Sequence, residues 1–280
     1  MNVWRLKKYH LRKEPAGSSE ASEGGQRLWI WGDGEEFYQR KLIEAFPGLG
    51  IVSVKGAKSS GYTWCARVDR AAPEIISGIE ACLQAFNRTL CIESSLDECF
   101  ALGWHSKPGK PGKPELTTLG QWISMAKSYD VDPDSRGSLP VAGLIAEQMA
   151  EFVRRHPLYR FSDGIVAALA SNPEKAFDLP SSLAGMLSAD CGIPFWDQAL
   201  FKIRRTAQMK FCPTLEDKLD NVTGSVGVVR EWVEGRKLIL LDDILESGAT
   251  LNETARALRE GGAAGIYGLA ATKTLKRAFS

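Results

Sequence analysis

Between Lys237 and Ala263 the chain reads KLILLDDILESGATLNETARALREGGA. The apolar run Leu238 to Leu241 is the pattern of a strand covered on both faces. Two adjacent acids, Asp242 and Asp243, are predicted to end it. Two more apolar residues lead to the loop Glu246-Ser247-Gly248-Ala249-Thr250, which opens a helix. Leu251, Ala255 and Leu258 share one face of that helix, and Gly261-Gly262 stops it.

Such a loop has defined chemistry. Glycine lets backbone approach a ligand, and the first amides of a helix lack carbonyl partners and point outward. Ser247 and Thr250 add hydroxyl donors, and the helix dipole favours an anion, so the loop suits a phosphate dianion. Carboxylates one step back would repel that phosphate unless they accept hydrogen bonds from sugar hydroxyls or help to hold a divalent cation. A sugar phosphate with free vicinal hydroxyls meets all of these demands.

Outward from this segment, strand and helix alternate. GIVAALA (164–170) reads as a buried strand and PSSLAGMLSADCG as a helix with serine near its N-cap. GIYGLA (265–270) reads as another strand. The alternation predicts an α/β fold, with a mostly parallel central sheet flanked by helices. Residues 116–157 read mainly as helix, with Leu144, Met149, Phe152 and Val153 as its apolar positions. Upstream, residues 27–105 form a smaller α+β pattern: a strand in RLWIWGDG, a helix in EEFYQRKLIEAF, a strand in GIVSVKG and a helix in PEIISGIEACLQAF. Phe37, Leu42 or Ile43, and Phe46 mark the apolar face of the first helix; Ile75, Ile79, Cys82 or Leu83, and Phe86 mark that of the second. Trp29, Trp31, Trp64 and Trp104 suit core packing or base stacking. SKPGKPGKPE, residues 106–115, is a Lys/Pro/Gly linker that forms neither helix nor central strand. Residues 1–26 are basic and then small and polar, and are expected to be flexible. The phosphate-binding candidate thus falls in a C-terminal domain, 116–280.

Composition narrows the function classes. Lys and Arg number 35 against 34 Asp and Glu, so overall charge gives no reason to expect a nucleic-acid binder. No apolar run reaches the roughly 18 residues of a spanning helix, and no apolar stretch follows the basic N-terminus as in a secretory signal. The expectation is a soluble cytoplasmic protein with no membrane association. Six cysteines without a C-x-x-C pair predict reduced thiols rather than a structural zinc site.

LILLDDILESGAT resembles the phosphoribosyl pyrophosphate (PRPP) motif of type I phosphoribosyltransferases. The resemblance implies that Asp242 and Asp243 contact the ribose hydroxyls of PRPP and that Glu246, Ser247, Gly248, Ala249 and Thr250 hold its 5-phosphate. Two further stretches are similar to the ComF-like branch of that family, which is linked to DNA uptake. The first is ALASNPEKAFDLPSSLAGML (168–187); in the family this loop meets pyrophosphate, so the resemblance implies Ser171, Asn172 and Lys175 near it. FKIRRTAQMKFCPTLEDKLDNVTGSVGV (201–228) has the branch's basic pair, its threonine and glutamine, a later basic residue and Asn-Val-x-Gly. It implies that Arg204, Arg205, Lys210 and Lys218 lie on or near a mobile loop over the reaction centre. The four-cysteine zinc module with which many ComF-like proteins start is not visible. Glu246 stands where the purine-salvage branch has an aspartate that handles the base's proton, so it is the candidate general base, or an exposed acid beside the loop.

The resemblance implies transfer of a phosphoribosyl group from PRPP to a nitrogenous base, with Mg²⁺ accompanying PRPP and pyrophosphate released. The competing expectation is a non-catalytic accessory protein in DNA uptake or DNA metabolism that senses PRPP or a nucleoside monophosphate. Single-stranded DNA or a DNA-processing protein would then be its partner. The family also implies a possible homodimer.

Overall fold

The computed structural model describes residues 1–13, 26–32, 35–47, 51–53, 64–68, 72–109, 114–128, 138–170 and 178–275. Contacts divide the chain into two units: Met1–Asn2, Ile92–Arg154 and Tyr159–Ser280 in one, Val3–Cys91 and Arg155–Leu158 in the other.

The larger unit is α/β. Its strands Gly164–Ala167, Lys237–Leu245, Gly265–Lys273 and Glu98–Trp104 lie side by side in that order, every neighbouring pair parallel. The central strands are apolar because helices cover both faces of such a sheet. Leu238, Ile239, Leu240, Leu241, Ile266 and Leu269 are all fully buried. The helices Thr118–Ser128, Ser138–Arg155, Leu179–Cys191 and Ala249–Glu260 flank it. Within Ser138–Arg155, Met149, Phe152 and Val153 are buried as their spacing predicts, but Leu144 is exposed.

Several expectations need correction here. The strand from Lys237 does not stop at the acids. It runs through them to Leu245, because pairing with the next strand continues at Asp242↔Ala270, Ile244↔Thr272 and Leu245↔Lys273. The segment Glu98–Trp104, expected inside the 27–105 domain, is instead a strand of the parallel sheet, with Gly103 opposite Thr272 and Trp104 opposite Lys273. The helix after Asp178 is capped by that aspartate rather than by serine: its Oδ2 accepts from the Ser181 amide at 3.1 Å and from the Ser181 hydroxyl at 2.7 Å. In the Lys/Pro/Gly stretch, Ser106–Lys107 and Glu115–Leu116 pair as a short antiparallel ladder. Proline is excluded from that ladder, and residues 110–113 lie outside the described ones.

The smaller unit carries an antiparallel sheet ordered Leu6–Lys13, Gln26–Gly32, Trp64–Val68, Ile51–Ser53, with helices Glu35–Ala45 and Pro73–Arg88. Residues 6–13, expected as part of a flexible segment, form an edge strand paired antiparallel with Gln26–Gly32, its register irregular between Leu6 and Lys8. The described cysteines are free thiols. Phe37, Leu42, Ile79, Cys82, Leu83 and Phe86 are buried, whereas Ile43 and Ile75 are exposed. Tyr38 and His156 both pack against Phe86, at ring separations of 5.3 Å. The side chains of Trp29, Trp31 and Trp64 lie outside the described ones. No helix among the described residues is long and apolar enough to cross a membrane.

Candidate functional site

In the α/β unit a cavity of about 350 Å³ opens at the carboxyl ends of the parallel strands, where open α/β sheets bind ligands. Three short segments build its floor: Ala168–Ala170 after the first strand, Asp242–Ile244 within the central one, and Asp178–Pro180 at the start of a helix. Thr250 contributes from the loop-helix junction, Lys127 from the helix Thr118–Ser128, and Lys202, Thr206 and Val222 from the segment between them.

Asp242 and Asp243 differ because strand geometry points successive side chains to opposite faces. Asp243 is 7% exposed, and its Oδ2 accepts from the Lys127 ammonium at 2.7 Å. Asp242 turns back on the chain, its Oδ1 accepting from the Asp243 amide at 2.8 Å. Loss of hydration, and then the negative charge of Asp243, push the Asp242 carboxyl well above the usual carboxylate range. Asp178 is also raised, chiefly by burial, against the opposing pull of its Ser181 hydrogen bonds. Lys202 is lowered by burial and then by neighbouring Arg204. The cavity thus gathers three carboxyl groups and two ammonium groups.

The loop after the strand has the shape its sequence predicts. Gly248 takes φ +81°, the left-handed region that glycine enters without strain, and the helix begins at Ala249. The Ala249 amide donates to the Ser247 hydroxyl at 3.3 Å. Helix geometry leaves the next amides, those of Thr250 and Leu251, without intrahelical carbonyls. The Met1 side chain packs against Gly248: a Cβ there would lie 2.5 Å from the Met1 sulfur. Of the loop residues, Thr250 lines the cavity together with Asp242 and Asp243. Glu246 is exposed and forms an ion pair with Lys218.

The segment 201–228 is an antiparallel ladder, Leu200–Lys202 with Val226–Val228, enclosing the helix Leu215–Val222. Thr214 and Asp217 form a reciprocal capping box at its start. Arg204 closes its other end, donating to the carbonyls of Asp220 at 3.0 Å and Thr223 at 2.7 Å. Asn221 of the Asn-Val-x-Gly stretch brackets Ala207, accepting from its amide at 2.8 Å and donating to its carbonyl at 2.9 Å. Arg205 is exposed, and the side chain of Lys210 is not among the described ones. Ser171, Asn172 and Lys175 also lie outside the described residues. The fold therefore brings Asp242, Asp243 and Thr250 together, with Glu246, Ser247, Gly248 and Ala249 adjacent in the chain, and gives Arg204 a helix-capping contact.

Sequence reasoning missed Lys127, Asp178 and Lys202. Asp178 had a local signal, an acid two positions before a proline at a helix start. Lys202 lies within the 201–228 stretch, two positions before its basic pair, whereas Lys127 had no signal, because it reaches the cavity only through tertiary packing.

No protein-family model matches the chain, and no curated protein matches it. Solved structures give distant likenesses. One is a glutamine PRPP amidotransferase from B. subtilis complexed with ADP and GMP, at 16% identity and TM-score 0.36, covering 89% of this chain and 46% of that one. Another is an HGPRT-ase from Leishmania tarentolae in complex with GMP, at 19% identity and TM-score 0.30, covering 59% and 82%. A third is an adenine phosphoribosyltransferase from Leishmania donovani, at 11% and 0.27, covering 64% and 81%. The chain spans under half the length of the first of these. Values this low establish neither a family nor an activity.

Proposed function

We propose that this protein binds PRPP or a nucleoside monophosphate and acts as a phosphoribosyltransferase, of the ComF-like kind, on a nitrogenous base. One observation carries the reading: Asp242, Asp243 and Thr250 line a single cavity at the carboxyl end of the parallel sheet, where a glycine-turned helix start follows the acids. Paired carboxyl groups suit a vicinal diol, and helix amides with hydroxyls suit the 5-phosphate.

In the proposed reaction a ring nitrogen of the base attacks C1 of PRPP. The C1–oxygen bond breaks and diphosphate leaves with the electron pair, through an oxocarbenium-like transition state. The ring nitrogen's proton passes to Glu246, which is paired with Lys218. The chain's own work is positioning: the acids hold the ribose and the 247–250 loop holds its phosphate. Among the described residues no three His, Cys, Asp or Glu side chains are placed so that they could hold a metal ion by themselves. Asp242 and Asp243 would therefore hold Mg²⁺ only jointly with diphosphate oxygens and water, a donor set this ion commonly takes. When bound there, the ion would supply charge neutralisation for the leaving diphosphate.

The Glu246–Lys218 ion pair, which engages the candidate base away from the cavity lining, favours one alternative. In it the protein senses PRPP or a nucleotide without catalysis, as an accessory in DNA uptake or DNA metabolism. Melting with PRPP and Mg²⁺, and with a panel of nucleoside monophosphates, tests the shared part. A saturable rise in melting temperature is expected, and no shift with any of them would overturn both readings. Pyrophosphate release across a panel of bases then separates enzyme from sensor.

A further inference from the structure

The cavity holds more positive charge than a 5-phosphate site requires. That phosphate has its own donors in the 247–250 loop, yet two ammonium groups, Lys127 and Lys202, also line the space. Lys202 already reaches the Thr206 hydroxyl, at 3.5 Å. Lys127 is different. It lies on the helix Thr118–Ser128, outside every motif that suggested the site, and its side chain is 46% exposed while its ammonium stands 2.7 Å from Asp243 Oδ2. An ammonium carries three N–H donors in a rotatable head. Asp243 occupies one and leaves two for a ligand in the cavity.

The chemistry of the ligand says where those donors would point. In PRPP the diol that suits Asp242 and Asp243 adjoins C1, and C1 carries the diphosphate. A cation already resting on one of the diol-binding acids is within one side chain's reach of that substituent. The same pairing explains how a polyanion tolerates a cavity with three carboxyl groups: Lys127 offsets Asp243, and Asp178 is engaged by Ser181. We infer that Lys127 is a diphosphate-binding residue, donating to the C1 substituent of PRPP while it remains paired with Asp243. This rests on the PRPP-binding reading above.

The experiment compares wild type, K127M and K127R by calorimetry with PRPP, with inorganic diphosphate and with a nucleoside monophosphate, all with Mg²⁺. The monophosphate shares the ribose and 5-phosphate of PRPP but has no diphosphate. K127M is expected to lose about tenfold or more in PRPP and diphosphate affinity and about threefold or less for the monophosphate, with K127R recovering most of the loss. Equal losses for PRPP and monophosphate would overturn the inference, since Lys127 would then act only by holding Asp243. Unchanged PRPP affinity in K127M would overturn it too, and would leave the PRPP-binding reading standing. If wild type binds none of the three, that reading falls and the inference with it. Melting of the ligand-free variants checks the fold, and K127Q, which removes the charge but keeps a polar side chain, takes the place of K127M in the same ligand comparison should K127M fail to fold.

Discussion

The ammonium of Lys273 donates to the carbonyl of Glu246 at 2.7 Å, tying the last residue of one central strand to the first residue of the phosphate-loop candidate on its neighbour. Lys273 is only 2% exposed and also donates to the Thr274 carbonyl at 3.0 Å. A buried lysine is stable where carbonyls replace its lost water, and here those carbonyls fix the direction of the loop. The Glu246 carbonyl is thereby held toward Lys273 at the start of the loop.

K273M should therefore act on both stability and ligand binding. Depriving the Glu246 carbonyl of its donor costs about 1–3 kcal/mol, which urea unfolding would read as a lower midpoint at unchanged slope. Affinity for a nucleoside monophosphate should fall as well. A midpoint equal to that of wild type would show that the contact does not anchor the loop.

Asp242 predicts an unusual pH dependence. Its folded carboxyl is raised, first by lost hydration and then by Asp243. The folded state thus keeps a proton that the unfolded chain, with a carboxyl near pKa about 4, has released. The stability this proton confers is present in acid and is lost as pH rises from the ordinary value toward the raised one. D242N is neutral at every pH, so its melting temperature should match wild type near about pH 4 and exceed it increasingly toward about pH 8. A gap that stays constant across that range would refute the assignment.

Replacing both acids separates fold from function. D242N combined with D243N should unfold cooperatively yet bind PRPP roughly 100-fold more weakly, because losing a charge-assisted hydrogen bond costs about 1.5–3 kcal/mol. Calorimetry with PRPP and Mg²⁺ is the measurement. Retained affinity in this double variant would place the ribose elsewhere.

In the smaller unit, His156 supplies a separate acid sensitivity. It is fully buried, and burial, then the positive charge of Lys41, lower its pKa to about 3. The unfolded histidine takes up a proton near pH 6.5, which the folded one refuses, so stability is lost as pH falls from there toward the lowered value. The slope amounts to about 1.4 kcal/mol per pH unit. H156F, which preserves the ring against Phe86, should flatten the stability profile by one proton between about pH 6 and about pH 4, measured by chemical unfolding. An unchanged slope would mean that other groups set the acid limit.

What could be read without the fold was local. The run Leu238–Leu241, the acids behind it and the glycine before Ala249 specify a buried strand, a turn and a helix start within a few residues of one another. Their chemistry follows from that order alone, as does the α/β alternation from Gly164 onward. The same locality misled at the edges. Glu98–Trp104 looked like part of the upstream domain because nothing in its own residues names the strand beside it. Its partner, Gly265–Lys273, lies near the other end of the chain.

The sequence by itself determined which segment is the phosphate-binding candidate, since amide direction, glycine conformation and acid spacing are properties of neighbouring residues. Tertiary structure alone decided the electrical character of the space in front of it. Lys127, Lys202 and Asp178 come from three separate elements and meet Asp242 and Asp243 only because the sheet collects the ends of its strands in one place. Their effect on one another depends on separations of a few ångströms and on lost hydration, and neither quantity is written in the order of residues along a chain.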